Sequence, residues 1–505
     1  MSNDVREIPD GQPANPQIGK EVPAGELPPW TIAELPAPRR LNMRNALAVM
    51  GPGVIMLSAS IGSGEWVFGP ALAVQYGFAI LWIVTIAIVT QTILNGEFMR
   101  YTLYTGEPIL VGFMRLKPGP VFWGGAYFFI LMLSYGWPGW AGGCAAVLFA
   151  LFKGHLPDPT IAGEPQTQTM IAALVFLGCV AILAFSGEVI ERGLEKLNWF
   201  IVSWILVFLL GACLFFAPFN LWVSLFKGFM SFGSMPPANM DLLLLGAVAG
   251  YAAGGGIANC AVSHWCRDKG YGMGGVTGYI PSVIGGKEIR LSNVGKVFET
   301  TPENLSKFRG WWRYVVADQY CFYGPGAFLG MFLCILLAVA VIPAGTPMTG
   351  LGVGAYQAEY LGQAGGSILR IAALITGFLI LFGTQLGIVD FCVRMSTDIA
   401  WAGSERLRRW SGDNPRKIYY TMLGIFVIWG MIALNLRQPF VLLQLQANMA
   451  AFVFIVISVH VLIVNRKLLP KPLRPRWWQE LAVGLNAVFY AVFTSMAVGR
   501  WIGWW

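Results

Sequence analysis

The sequence predicts an all-α polytopic membrane protein that crosses a bilayer about eleven times. Three observations carry that prediction. Of the 505 residues, 56% are hydrophobic and only 12% are charged, whereas an ordinary soluble domain carries roughly 25% charge. Apolar runs near the ~20 residues needed to cross a ~30 Å hydrocarbon core recur along the whole length. The basic residues gather in alternate loops, so the net charge of +8 reads as membrane topology and not as a nucleic-acid footprint.

The apolar runs, bounded by charge, proline or glycine, lie near 46–74, 78–99, 121–151, 169–186, 197–217, 242–264, 316–342, 367–390, 418–435, 440–464 and 480–502. They are numbered spans 1 to 11. With the amino end inside, one side collects Arg39, Arg40 and Arg44, then Arg100, Arg115 and Lys117, then Arg192 and Lys196, and every later basic cluster. The other side receives only Lys153, Lys227, Arg370, Arg437 and Arg500. That asymmetry predicts an integral protein of an inner or plasma membrane, with its amino end cytoplasmic and its carboxyl end outside.

Residues 1–40 are polar and proline-rich, without the basic and apolar regions of a cleavable signal, and are expected to form a disordered cytoplasmic tail. The first five-helix repeat is placed at 41–217 and the second at 242–464, the latter with a long loop at 266–315 read as a solvated connector. Residues 480–505 supply the eleventh helix and a short external end. Eight scattered cysteines form no CxxC pair and read as small packing residues.

Two spans are interrupted. In span 1, Gly62, Ser63 and Gly64 lie mid-span, directly before Glu65; in span 6, Gly254, Gly255 and Gly256 do the same. Unwound backbone at membrane depth is tolerated only where protein buries it or where it lines a cavity. Glycine-interrupted segments at matching places in two halves point to the binding site of a secondary transporter. A carboxylate there costs several kcal/mol unless paired or hydrated, which makes Glu65 the leading site residue.

The segments GPG at 51–53, the broken motif ending in Trp66, AVQYGFAILW at 73–82, RYTLYTGE at 100–107 and NRKLL after span 10 resemble the Nramp family of divalent-metal transporters. The resemblance implies a five-plus-five inverted repeat of the LeuT-like kind, with broken helices 1 and 6 and a metal site between the breaks. The family's Asp-Pro-Gly-Asn ligand motif aligns with Gly62, Ser63, Gly64 and Glu65, its span 6 methionine with Gly254 and a histidine with Gly256. Span 3 carries no Asp or Glu, so the family's acidic proton route is missing.

What remains is hard oxygen chemistry suited to magnesium, calcium or manganese. The expected substrate-binding set is Gly62, Ser63, Glu65, Ala253, Gly254, Gln444 and Gln446, with His264 as a candidate proton relay. The expected partners are a divalent cation as cargo, the lipid bilayer and H+ as a candidate coupling ion; no cofactor is implied. An amino-acid or polyamine carrier of the same architecture is the competing reading, because IGSG at 61–64 also resembles the break of such carriers. A membrane enzyme has little support: His155, His264 and His460 are far apart, and no HExxH or nucleophile elbow accompanies them.

Overall fold

The computed structural model describes residues 26–42, 51–184, 190–237, 240–278, 291–292, 294–348, 352, 354–436 and 439–502. Residues 1–25 of the expected tail and 279–290 of the glycine-rich loop lie outside them.

Helices dominate because backbone polar groups in lipid must be satisfied within their own segment. Eight helices among the described residues are long and apolar enough to cross a membrane, and they correspond to spans 2, 4, 5, 6, 7, 8, 10 and 11. Span 9 is Pro415–Ala433, opened by Asn414, whose side chain accepts from Arg416 N–H. Spans 1 and 3 are each built from shorter pieces. Spans 2 and 6 sit mostly inside the bundle, whereas spans 4, 5 and 11 turn much of their surface outward. Leu174, Val207, Leu214, Phe215 and Val488 are among the exposed apolar side chains there, a surface that lipid and not water would solvate.

The structure departs from the sequence reading in three places. Span 3 is two helices, Pro120–Tyr135 and Gly139–Lys153. They are separated at Pro138, which lacks an N–H to continue the ladder. Span 7 begins far earlier, at Pro302, behind a Thr301 cap; its first stretch Pro302–Val315 is amphipathic and then passes through a π-helical turn, Val316–Tyr323. Much of the supposed connector at 266–315 is therefore packed helix.

The third departure is at the amino end. Instead of a disordered tail, residues 26–42 form a strap against the end of the bundle that carries the basic loops. Leu27, Trp30 and Leu35 are buried. Thr31–Ile32 (β1) pairs in parallel with Lys296–Val297 (β2). Trp311 Nε1 donates to Pro36 O at 2.8 Å, Tyr314 hydroxyl to Arg39 O at 2.7 Å, and Arg115 to Pro28 O at 2.8 Å. The proline content that suggested disorder instead suits an extended chain whose few apolar side chains find pockets.

Candidate functional site

Span 1 leaves its helix after Ser60; Ile61 and Gly62 form a turn, and the chain resumes through the π-helical turn Gly64–Phe68 into Gly69–Tyr76. Span 6 stops at Tyr251, runs unwound through 252–255, and resumes as the 3-10 turn Gly256–Cys260 and helix Ala261–Asp268. The two interruptions meet backbone to backbone. A side chain on Gly64 would collide with the Tyr251 carbonyl, and one on Gly255 with the Tyr135 hydroxyl, so glycine is required there for close approach rather than for flexibility alone.

Glu65 joins the two breaks. Its Oε2 accepts from Gly62 N–H at 3.1 Å and its Oε1 from Ala253 N–H at 3.0 Å. The side chain is fully buried, and among the described residues no basic side chain forms an ion pair with it. Two charge-assisted bonds, each worth roughly 1.5–3 kcal/mol, offset part of the cost of holding that charge out of water.

Ala253 has a φ of 69°, a left-handed conformation costing on the order of 1–3 kcal/mol for a non-glycine residue. Its surroundings impose it: the N–H is held by Glu65, and the carbonyl accepts from the Tyr323 hydroxyl of span 7. Trp66, next to Glu65, donates from Nε1 to Gly354 O at 2.8 Å, and its own carbonyl accepts from Gln357.

A cavity of about 30 Å³ lies between the breaks, room for about two waters. Ser60, Ser63, Gly254 and Thr384 are among its lining residues, with Tyr135, Trp140, Tyr251, Trp265 and Phe391 as an aromatic surround. Ser63 Oγ and Trp140 Nε1 are buried without a hydrogen-bond partner. Met56 of span 1 also lines the cavity.

Beside the site runs a buried polar chain. Asp318 accepts from Gly53 N–H at 2.9 Å and from Gln319 at 2.7 Å; Asn95 donates to Gln319 at 3.1 Å, and Asn259 donates to Asn95 at 3.0 Å. Asn259 also accepts from Gly255 N–H at 3.0 Å, and Gln91 donates to Ala252 O at 2.7 Å. Polar side chains of spans 2 and 7 thus support the unwound stretch of span 6.

Of the residues singled out from sequence, Ser63 and Gly254 line the cavity, and Gly62 and Ala253 are bridged by Glu65. Three lie apart. Gln446 donates to Trp137 O at 2.7 Å, at the interruption of span 3; Gln444 is half-buried and its carbonyl accepts from Asn448; His264 pairs with Asp398. Glu97 pairs with Arg100 at 2.8 Å. Sequence reasoning did not find the aromatic wall. The only signal for it was the run Tyr135-Gly136-Trp137-Pro138-Gly139-Trp140, where aromatics flank a helix breaker in span 3.

Among the described residues no three His, Cys, Asp or Glu side chains gather in a way that could hold a metal ion. A cation here would be held by hydroxyls, carbonyls and at most one carboxylate.

No family model and no curated protein matches this sequence. Solved structures do match. The Eremococcus coleocola manganese transporter, as a mutant with one histidine replaced by alanine, superposes with a TM-score of 0.60 at 15% identity, over 94% of this chain and 92% of that one. A second mutant of that transporter, with a glutamate replaced by glutamine, gives 0.59 at 15% identity, over 94% and 92%. MhsT in complex with L-phenylalanine gives 0.52 at 14% identity, over 91% of this chain and 100% of that one. The Nramp resemblance, which runs through spans 1 to 10 and is strongest over 46–107, and these superpositions agree on the fold, and the chain is an integral membrane protein with the five-plus-five LeuT-like fold that the manganese transporter also has.

Proposed function

We propose that this protein is a secondary transporter that moves a cation by alternating access at the paired breaks of spans 1 and 6. One observation carries the reading: a fully buried carboxylate, Glu65, without an ion-pair partner among the described residues, holds the two breaks together. An uncompensated buried anion at membrane depth is costly and calls for a proton or a cation. It disfavours an anionic cargo, and the two amides that would receive a carboxylate are already occupied by Glu65. The last carbonyls of Gly51–Ser60 and Leu242–Tyr251 add negative potential at the same point.

The cargo is a divalent metal ion, hard or partly hydrated, in the class of magnesium or manganese, consistent with hydroxyl and carbonyl donors. The fold shared with a manganese transporter agrees with this. The concentration of basic residues in the loops at the strap end supports a cytoplasmic location for that end. A second reading, a small organic cation, is favoured by the five aromatic rings around the cavity, since ring faces attract cations that carry little hydration.

Uptake by purified protein in liposomes tests both readings. Manganese, magnesium, calcium and cadmium should compete with one another and outcompete amino acids. Preferential uptake of methylammonium or a polyamine selects the second reading, and uptake of a neutral or acidic amino acid that no cation inhibits overturns the proposal.

A further inference from the structure

We infer that the turn between spans 10 and 11 is a docking surface for an anionic phospholipid of the leaflet at the strap end, and that a lipid held there supports transport through span 11. The second half rests on the transporter reading above.

The surface starts from charge. Arg466, Lys467, Lys471, Arg474 and Arg476 follow one another closely, and the nearest acid in sequence is Glu480. Arg466 occupies that acid, donating to both of its oxygens at 2.9 and 2.7 Å. The other four cations form no ion pair among the described residues. Five positive charges against one negative leave an excess of four. Other exposed cations at this end have partners: Arg409 pairs with Glu405, Lys307 with Glu34 and Glu303, and Lys417 lies over the Trp410 ring.

Local structure fixes these charges in place. Lys471–Leu473 is a 3-10 turn, and Pro470, Pro472 and Pro475 lock φ in and around it. Leu468, Leu469 and Leu473 are buried and anchor the turn, whereas Lys467, Lys471, Arg474 and Arg476 are exposed. A backbone ordered in advance pays less to bind an anion.

Span 11 decides what kind of anion fits. Its helix, Trp477–Trp501, begins directly after Arg476. Trp477 is 75% exposed and Trp478 38%, and indole rings favour the headgroup level of a bilayer. Trp477, Leu481, Leu485 and Val488, at i, i+4, i+8 and i+11, are exposed along one face. From Trp477 to Val488 the helix rises about 16 Å at 1.5 Å per residue, which matches one leaflet of a ~30 Å core. Cations, indoles and an apolar stripe thus follow the order of phosphate, interface and acyl chain. A soluble polyanion or an acidic peptide would use only the first of the three.

The surface is also joined to the site. Arg100 of span 2 donates to Leu473 O at 3.3 Å and to Gln479 at 3.0 Å while pairing with Glu97. Deeper in span 11, Asn486 accepts from Thr90 at 2.7 Å and the Tyr490 hydroxyl accepts from Gln91 at 2.6 Å. Tyr490 in turn donates to Ala249 O at 3.0 Å, three residues before the unwound stretch of span 6. A lipid that steadies the turn therefore acts on the helix that braces this break.

Native mass spectrometry of the full chain, stripped of co-purified lipid and titrated with phosphatidylglycerol or phosphatidylcholine, tests the surface. The parent should prefer phosphatidylglycerol. Each basic residue near an anionic surface is worth roughly fivefold in affinity, so Lys471→Gln/Arg474→Gln/Arg476→Gln should weaken phosphatidylglycerol on the order of 100-fold and leave phosphatidylcholine unchanged. Lys471→Arg/Arg474→Lys/Arg476→Lys should keep the preference, and thermal melting checks that each variant is folded. Removing as many charges at the turn between spans 8 and 9, with Arg406→Gln/Arg409→Gln/Lys417→Gln, should change little. A parent that binds the two lipids equally, or equal losses in both glutamine variants, overturns the surface. Displacement of the lipid by an equal concentration of inorganic phosphate shows a soluble-anion site and overturns the lipid assignment. In liposomes, cation uptake by the parent should fall when phosphatidylglycerol is left out, and the Lys471/Arg474/Arg476 glutamine variant should be indifferent to it. Parental uptake indifferent to phosphatidylglycerol overturns the role in transport. If no cargo is found at all, mass spectrometry still decides the surface, and the failure belongs to the transporter reading.

Discussion

Replacing Glu65 by Gln keeps the shape of the side chain and removes its charge. Glu65 Oε1 lies 3.0 Å from Ala253 N, one peptide unit from the cavity-lining Gly254. One ~3.8 Å residue step beyond that hydrogen bond puts the charge about 7 Å from an ion held at Gly254. With an effective dielectric of about 20, a unit charge at ~7 Å contributes about 2.4 kcal/mol. Removing it should weaken a monovalent cation roughly 50-fold and a divalent one on the order of 10³-fold, because the term scales with cargo charge. Folding should survive. Glutamine has one acceptor oxygen for two backbone donors, leaving one N–H unpaired at a cost of about 1–3 kcal/mol, against which stands relief from burying an unpaired anion. Binding is read by calorimetry in detergent and transport by liposome uptake, with thermal melting as the control for folding. Equal parental affinity in a folded Glu65→Gln variant would refute the reasoning, and a loss of roughly 50-fold would identify a monovalent cargo.

Three further outcomes are expected. Ala253→Gly should raise the melting temperature, since glycine accepts a φ of 69° without the strain of about 1 kcal/mol or more; an unchanged or lower melting temperature contradicts that. Met56→Leu, a volume-conserving change costing less than about 1.5 kcal/mol, should weaken cadmium while leaving magnesium binding unaltered, because Met56 is the one sulfur-bearing residue among those lining the cavity. The strap should loosen in acid. Burial pushes the Glu107 carboxyl up, but the Arg115 guanidinium beside it holds it below the ordinary 4.5, and Glu107 also accepts from Gly295 N–H at the β1–β2 ladder. A lowered folded value means this contribution is fully present above 4.5 and is lost as pH falls through the folded value. Hydrogen-exchange protection at residues 31–33, taken relative to the intrinsic rate at each pH, should therefore fall only in acid, and protection already lost at neutral pH would show the strap to be held otherwise.

The fold was largely legible because lipid imposes a strict code: apolar length, breaker residues and loop charge each correspond to a physical cost. The interruptions of spans 1 and 6 could be read from Gly62-Ser63-Gly64 and Gly254–Gly256, although each lies slightly ahead of its motif: span 1 turns at Ile61 and Gly62 and is helical again from Ser63, and span 6 unwinds over 252–255. What was not legible depends on contacts between distant residues. Nothing local marks Tyr135, Trp265 and Phe391 as one cavity wall, and the i, i+4, i+8 spacing of Asp390, Arg394 and Asp398 takes on meaning only once His264, Arg267 and Asp268 are seen to face it. Glu65 was found, but its position was not: the sequence suggests a carboxylate in the cavity, and the structure engages it with the amides of Gly62 and Ala253.

The strap also dictates an order of assembly. Residues 26–42 dock on Gly295–Val297, Trp311 and Tyr314, all of which are synthesised more than 250 residues later. At about 5–20 residues per second, a ribosome needs roughly 13–55 s to supply that dock. During that interval the strap can engage only the earlier part of its dock, Tyr101 and Tyr104 against Trp30 and Arg115 against Trp30 and Pro28. A segment made early thus completes its docking late, and sealing of the basic end follows insertion of spans 6 and 7.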